Sequence, residues 1–136
     1  MIVLILSCIL ICVNACSLQA GSDAEARYVF HLADIDHNYR LSLSEFRHVF
    51  FEFDRNHDKS LTSDEFLLDW QERCLGSSLE GVILFHHLDV DRNGHIEDTD
   101  IPWVMNYFDG NLDGVVGQAE FVTTWLKLIR SPHGRR

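Results

Sequence analysis

The stretch DVDRNGHIEDTD at residues 89–100 places short oxygen-bearing side chains at its first, third and fifth positions. Gly94 is the sixth residue of the stretch, Ile96 the eighth and Asp100 the twelfth. Three short oxygen ligands at this spacing surround one side of a small sphere, and a carboxylate at position 12 closes the other side. The stretch therefore suits a loop that supplies the roughly six to eight oxygens preferred by Ca²⁺.

The same pattern occurs four times in the chain. Loop 1 spans residues 34–45, loop 2 residues 54–65, loop 3 residues 89–100 and loop 4 residues 109–120. Position 8 is aliphatic in every copy, which suits a short strand between paired loops and which a set of acidic, solvated turns does not predict. The predicted metal ligands are the side chains at positions 1, 3, 5 and 12 and the backbone carbonyl at position 7, namely Asp34, Asp36, Asn38, Arg40, Glu45, Asp54, Asn56, Asp58, Ser60, Glu65, Asp89, Asp91, Asn93, His95, Asp100, Asp109, Asn111, Asp113, Val115 and Glu120.

With these four loops in register, residues 24–130 resemble the EF-hand calcium-binding family. The resemblance implies an all-α array of helix–loop–helix units that holds up to four Ca²⁺ ions. The charge distribution agrees, because twelve of the 21 Asp+Glu residues lie at positions 1, 3, 5 and 12, leaving nine acids against 11 Lys+Arg. Clustered carboxylates repel each other, so bound Ca²⁺ should stabilise the fold.

The loops differ at position 6, where the backbone turns sharply with positive φ and glycine is usual. Gly94 and Gly114 meet this need, whereas Tyr39 and Lys59 do so at a cost of roughly 1–2 kcal/mol. Loop 3 ends in Asp100, which is one methylene shorter than glutamate and should weaken Ca²⁺ binding while relatively favouring Mg²⁺. The predicted order of affinity is loop 4, then loop 3, then loops 1 and 2.

The spacing of the loops predicts the architecture. The first residues of loops 1 and 2 are 20 positions apart, as are those of loops 3 and 4, while 35 positions separate loops 2 and 3. Residues 46–53 and 101–108 therefore leave room for one short helix each, which two neighbouring loops must share. We expect one domain of about six helices, in which loop 2 pairs with loop 3 and loop 1 meets loop 4.

Residues 1–17 are interpreted as a signal peptide, with cleavage after Ala15 or Ser17. The apolar run at residues 2–13 is too short for a membrane-spanning helix and is followed by small residues, although no basic residue precedes it. The alternatives are a buried helix of the mature fold and a lipoprotein anchor at Cys16. Residues 131–136 are expected to form a flexible tail.

The use of cysteine depends on that cleavage. Cys8, Cys12 and Cys16 lie in or beside the leader, so Cys74 is the one cysteine certain to remain. We expect a buried helical cysteine at position 74, with pairing between molecules as the alternative.

The remaining features bear on the class of function. The net charge of −10 argues against nucleic acid or an anionic membrane as the main partner. Met105 is the single methionine outside the leader, which disfavours a sensor with a Met-rich groove. The sequence carries no phosphate-binding, nucleophile-elbow or zinc-protease motif, so we expect no enzyme.

The favoured function is calcium binding by a secreted, extracellular protein, serving storage, matrix or mineral contact, or structure. The alternative is a calcium-dependent interaction module or sensor.

Overall fold

A computed structural model of the protein describes residues 21–130. Six helices and four short strands occur along these residues, and two of the helices, α3 and α4, follow each other without a strand between them. Their bounds are α1 Asp23–Ala33, β1 Arg40–Leu41, α2 Leu43–Phe53, β2 Ser60–Thr62, α3 Ser63–Glu72, α4 Ser78–Leu88, β3 His95–Glu97, α5 Ile101–Phe108, β4 Val116–Gly117 and α6 Gln118–Arg130. The expected all-α array of about six helices is confirmed. The proposed leader and C-terminal tail lie outside the described residues.

Local sequence determines where most of these helices begin. Ser22, Ser42, Thr62 and Ser77 are N-caps, and the hydroxyl of each accepts a backbone N–H three residues further on. In α2, α3 and α4 the third helical residue is a glutamate whose carboxylate accepts the backbone N–H of the cap residue, forming a capping box. The position-12 glutamates of loops 1 and 2 are two of these residues, so helix initiation and the loop pattern use the same side chain.

The two shared helices are present as expected. Helix α2 starts within loop 1 and ends at Asp54, the first residue of loop 2. Helix α5 follows Asp100 directly and ends at Asp109, the first residue of loop 4. Pro102 lies in the first turn of α5, where its missing N–H costs no helical hydrogen bond.

The strands pair the loops in the predicted order. Strands β2 and β3 form an antiparallel pair in which Leu61 faces Ile96, joining loops 2 and 3. Strands β1 and β4 form a second pair in which Leu41 faces Val116, joining loops 1 and 4. All four position-8 side chains are at most 2 % exposed. Each loop therefore pairs through its strand with a different loop from the one with which it shares a helix.

A continuous series of aromatic rings fills the space between the helices. Trp70 of α3 stacks on Trp125 of α6, with ring centroids 5.6 Å apart and planes 19° apart. On one side Trp70 stacks on Phe66, and on the other Trp125 stacks on Phe121. Phe121 in turn stacks on Phe108 of α5. Because α3 follows loop 2 and α6 follows loop 4, these rings tie the two loop pairs into one core.

In α4 the apolar residue Val82 is 38 % exposed, whereas Leu84 is buried. The expected environment of Cys74 is wrong. Cys74 is not a buried helical residue: it lies in the turn after α3, is half-buried, has φ of 54° and is disulfide-bonded. The helix ends at Glu72, two residues before Cys74.

A carboxylate pair lies between the start of α1 and the start of α4. Glu25 is completely buried, and its Oε2 accepts the N–H of Gly21 at 2.5 Å. Its Oε1 has no hydrogen-bond partner among the described residues. Burial and the nearby negative charge of Glu80 raise the pKa of Glu25 to about 7, although the N–H groups of Gly21 and Ser22 oppose the shift.

Replacing Glu25 with glutamine is expected to stabilise the protein at pH 8 and to change little at pH 4.5. The folded-state pKa of about 7 lies above the reference value of 4.5, so the stability present below pH 4.5 is lost as pH rises to about 7. Glutamine carries no charge to bury, and the difference should reach about 2–3 kcal/mol above neutrality. Urea denaturation of both proteins across this range measures it. Asp64→Asn, which removes an exposed charge, is the control, and a Glu25→Gln difference independent of pH would contradict the expectation.

Candidate metal centres

The first residue of every loop is an aspartate that ends the preceding helix. Asp34, Asp54, Asp89 and Asp109 are between 1 % and 6 % exposed. In loops 1, 3 and 4 the two carboxylate oxygens accept the N–H groups of positions 5 and 6, at 2.9–3.2 Å. These hydrogen bonds fold the loop around the position-1 carboxylate and fix the orientation of that carboxylate.

The side chain at position 5 fixes the next part of each loop. Its oxygen accepts the N–H of position 7 in all four copies, at distances of 2.7–3.1 Å. This hydrogen bond closes a short turn that leads directly into the strand. The position-7 residues thus lie at or beside the start of the strands by which the loops pair, and they are Arg40, Ser60, His95 and Val115. Their side-chain types are free to vary because the predicted ligand is the backbone carbonyl.

Position 6 has positive φ in every loop, as expected. The φ angles are 63° at Tyr39, 68° at Lys59 and 88° at both Gly94 and Gly114. Position 4 also has positive φ, between 57° and 60°, although it holds His37, His57, Arg92 and Leu112. Sequence analysis missed this second left-handed residue, because no glycine marks it.

Position 12 closes three of the loops by reaching back to their beginning. Glu45 Oε1 accepts the N–H of Ile35 at 3.1 Å, and Glu120 Oε1 accepts the N–H of Asn111 at 3.1 Å. Asp100 does the same despite its shorter side chain, since its Oδ1 accepts the N–H of Val90 at 3.1 Å. Helix α5 begins only after Asp100, whereas Glu45 is the third residue of its helix. The backbone at position 12 is therefore helical in loop 1 and precedes the helix in loop 3.

Three carboxylates converge in two of the loops. Asp34, Asp36 and Glu45 of loop 1 each offer an oxygen within 4.8 Å of the others, and so do Asp89, Asp91 and Asp100 of loop 3. Loops 2 and 4 have asparagine at position 3, Asn56 and Asn111, and carry their third acid at position 5. Hard oxygen donors of this kind suit Ca²⁺ or Mg²⁺ rather than a thiophilic metal.

Loop 2 is the least closed of the four. Glu65 hydrogen-bonds the cap residue Thr62 through Oε2, and no hydrogen bond to the beginning of the loop is present. Asp54 Oδ1 is buried without a hydrogen-bond partner among the described residues. A buried carboxylate oxygen with no donor is an acceptor suited to a cation, so the donor set of loop 2 also fits a metal ion.

Arg55, at position 2 of loop 2, anchors the loop to α3. Its guanidinium pairs with Asp69, with Nη2 of Arg55 2.7 Å from Oδ1 of Asp69, and also with Glu72. Arg73 approaches the same Asp69 carboxylate at 3.2 Å. Hydrogen bonds to these two carboxylates raise the pKa of Arg55 above its usual value. No pattern in the sequence indicates this contact, because the partner lies on the following helix.

Part of the chain matches a protein family, and nearly all of it matches a known protein. A family model described as an EF-hand domain pair matches residues 95–128. The chain is 30 % identical over 129 residues to insoluble matrix shell protein 5 of Ruditapes philippinarum, covering 95 % of this chain and 93 % of that protein. No solved structure matches the chain. None of the helices in residues 21–130 is both long and apolar enough to cross a membrane.

Proposed function

This chain belongs to the EF-hand family, and on that basis we propose that it binds Ca²⁺ through its four loops as a secreted, non-enzymatic protein. The observation that carries the proposal is the convergence of three carboxylate oxygens within 4.8 Å in loop 1 and again in loop 3. Like charges at this separation repel strongly when no cation lies between them. A divalent cation relieves that repulsion, and the hard oxygen donors favour Ca²⁺.

The acidic loops are preformed for binding. The carboxylates at positions 1 and 12 are held by backbone N–H groups, so little conformational entropy remains to be lost when an ion binds. Strained residues such as Tyr39 and Lys59 reduce affinity without removing a ligand. Outside the cell, where calcium is near millimolar, sites with a Kd of about 10⁻⁴–10⁻³ M are filled.

The extracellular setting is part of the proposal. The related protein is described as an insoluble matrix protein of shell, which supports matrix or mineral contact for this chain as well. The apolar run at residues 2–13 supports export. In such a setting the domain serves as a structural calcium binder, and the net charge of −10 on the whole chain suits a surface that faces cations.

Calorimetric titration of the purified protein with CaCl₂ tests the proposal, with MgCl₂ titration as a comparison and helicity followed by circular dichroism. We expect two to four bound Ca²⁺ ions and increased helicity. An absence of binding up to several millimolar Ca²⁺ would refute calcium binding in the extracellular range.

Glu120→Gln tests the predicted order of the sites. Glutamine keeps the size of the position-12 side chain but loses its charge and its second carboxylate oxygen, so the tightest site should weaken by at least ~10-fold. Asp64→Asn is the matched control, because it removes one exposed carboxylate that is at no ligand position. If the tightest site survives in Glu120→Gln, loop 4 is not the best site.

A further inference from the structure

We propose that Glu25 and Glu80 form a pH-sensitive latch, in which a proton on Glu25 holds the start of α1 against the turn between α3 and α4. Loss of that proton loosens the first turns of α1. Glu25 lies on α1 and Glu80 on α4, and neither belongs to a metal-binding loop. The latch operates without a bound ion and is therefore independent of the proposed function.

The two carboxyl groups face each other across Gly76. A methyl group placed on Gly76 would overlap Oε1 of Glu25 and would be 2.6 Å from Oε2 of Glu80. Both oxygens are thus next to one point, within the ~4–6 Å at which one charge shifts the pKa of another. Gly76 has φ of 146°, which glycine adopts readily, so the turn can approach the pair this closely.

The proton belongs on Oε1 of Glu25, because that oxygen has no donor. Glu25 is completely buried, and only its Oε2 accepts a hydrogen bond, from Gly21, among the described residues. A charged oxygen in that position is desolvated without compensation. Glu80 instead accepts both the N–H and the hydroxyl of Ser77, at 2.8 and 3.2 Å, and such donors favour an ionised acceptor. The pair thus holds one proton and one negative charge.

The other groups around the pair do not replace this proton. On α1, Asp23 and Arg27 form an exposed ion pair with each other. From α3 the uncharged ring of Trp70 reaches Gly76, and Cys74 in the following turn is disulfide-bonded and does not titrate. From α6, the guanidinium of Arg130 donates to the carbonyl of Gly21 at 3.1 Å. Burial and the charge of Glu80 therefore raise the pKa of Glu25 to about 7.

Helix α1 is the side of the latch that yields. The indole N–H of Trp70 donates to the carbonyl of Ser77 at 3.0 Å, and the capping box of α4 fixes the same residue. The start of α1 has its Ser22 cap, the contact from Arg130 and Glu25 itself. When Glu25 releases its proton to solvent, movement of the first turns of α1 into water relieves both the repulsion and the burial of charge.

The direction of the effect follows from the pKa of Glu25. The folded-state value of about 7 lies above the reference value of 4.5. The latch is therefore complete below pH 4.5 and is lost as pH rises to about 7. Since α1 ends at Asp34, the helix that loosens is the one that leads into loop 1.

Hydrogen exchange of the protein in excess Ca²⁺, followed by NMR and corrected for intrinsic rates, tests the latch. Protection of the amides in the first turns of α1 should fall by about 50-fold between pH 5 and pH 8, with little dependence on low urea concentrations. Glu25→Gln should abolish the fall, and Glu80→Gln should reduce it. Asp23→Asn is the matched control, because it removes an exposed carboxylate of the same turn and should leave the fall unchanged. Constant protection in the native protein, or the same fall in Glu25→Gln, would overturn the proposal.

Two further measurements hold even where a variant fails to fold or binds calcium differently. The carboxyl carbon of Glu25 in the native protein should titrate near pH 7 by NMR, and a midpoint near the reference value of 4.5 would refute the latch. Calorimetry should find equal numbers of bound Ca²⁺ in the native protein and in Glu25→Gln. Loss of one ion in that variant would show that a cation, rather than a proton, joins the pair.

Discussion

Trp125→Ala is expected to lower the free energy of unfolding by about 3–5 kcal/mol, as is usual when a buried tryptophan is truncated. Trp125 is 3 % exposed and stacks on both Trp70 and Phe121, with ring centroids 5.6 Å and 5.5 Å away. Its removal leaves a cavity where α3 meets α6. Because a domain of this size has a total stability of only about 5–15 kcal/mol, the loss is a large part of the whole.

Urea denaturation in saturating calcium measures this effect, and two further variants define it. Trp103→Ala is the matched control, since Trp103 is 66 % exposed and its loss should change stability by no more than ~0.5 kcal/mol. Trp125→Phe should cost less than Trp125→Ala, because it keeps an aromatic ring and removes an indole N–H that has no hydrogen-bond partner in the described part of the chain. Equal losses in Trp103→Ala and Trp125→Ala would contradict the assigned core.

The aromatic series also explains why the domain should unfold in one step. Each loop pair alone offers only a short two- or three-residue ladder, which is marginal without further packing. The rings of α3, α5 and α6 carry the contact between the pairs. We therefore attribute cooperativity to the core rather than to the strands.

Much of this architecture was predictable because it depends on short-range spacing. Eight residues between Glu45 and Asp54 accommodate one helix and exclude two, so neighbouring loops had to share it and pair elsewhere. The aliphatic residue at position 8 then specified which residues face each other, and Leu61 does face Ile96. These inferences required only the loop pattern and the dimensions of a helix.

The features missed by sequence analysis depend on contacts between distant residues. Arg55 pairs with Asp69, and the burial of Glu25 depends on helices that lie far apart in the sequence. Cys74 continues the helical periodicity of α3, but a Schellman turn ends the helix before it. Periodicity reports which residues are apolar, and the helix boundary depends on hydrogen bonds that the apolar pattern does not encode.

The loop pattern predicted that the carboxylates of loop 3 share one site, but it did not indicate how Asp100 reaches across the loop. A shorter acid at position 12 was expected to reach less well, yet Asp100 accepts the N–H of Val90 across the loop. The reason is the backbone, because α5 begins directly after Asp100 rather than two residues before it. Side-chain length alone therefore does not determine how far a position-12 residue reaches. The predicted preference of this loop for Mg²⁺ stays a prediction.

Removal of calcium by a chelator is expected to lower the free energy of unfolding by about 5 kcal/mol. A site held at ~100 times its Kd stabilises the folded state by ~2.7 kcal/mol, so two filled sites supply this amount. In loops 1 and 3 three carboxylates within 4.8 Å of each other are then left to repel. Thermal denaturation with excess Ca²⁺ and with EDTA measures the difference, and NaCl at equal ionic strength is the control for general screening of charge.

The loss should spread through the whole domain rather than stay at the loops that bind most tightly. The strand pairs join loop 1 to loop 4 and loop 2 to loop 3. The shared helices α2 and α5 join loop 1 to loop 2 and loop 3 to loop 4. Every loop thus belongs to one closed circuit of strands and helices around the aromatic core. A single shifted transition in EDTA supports this linkage. Two separate transitions would show that the loop pairs melt independently, and an unchanged Tm would show that calcium does not stabilise the fold.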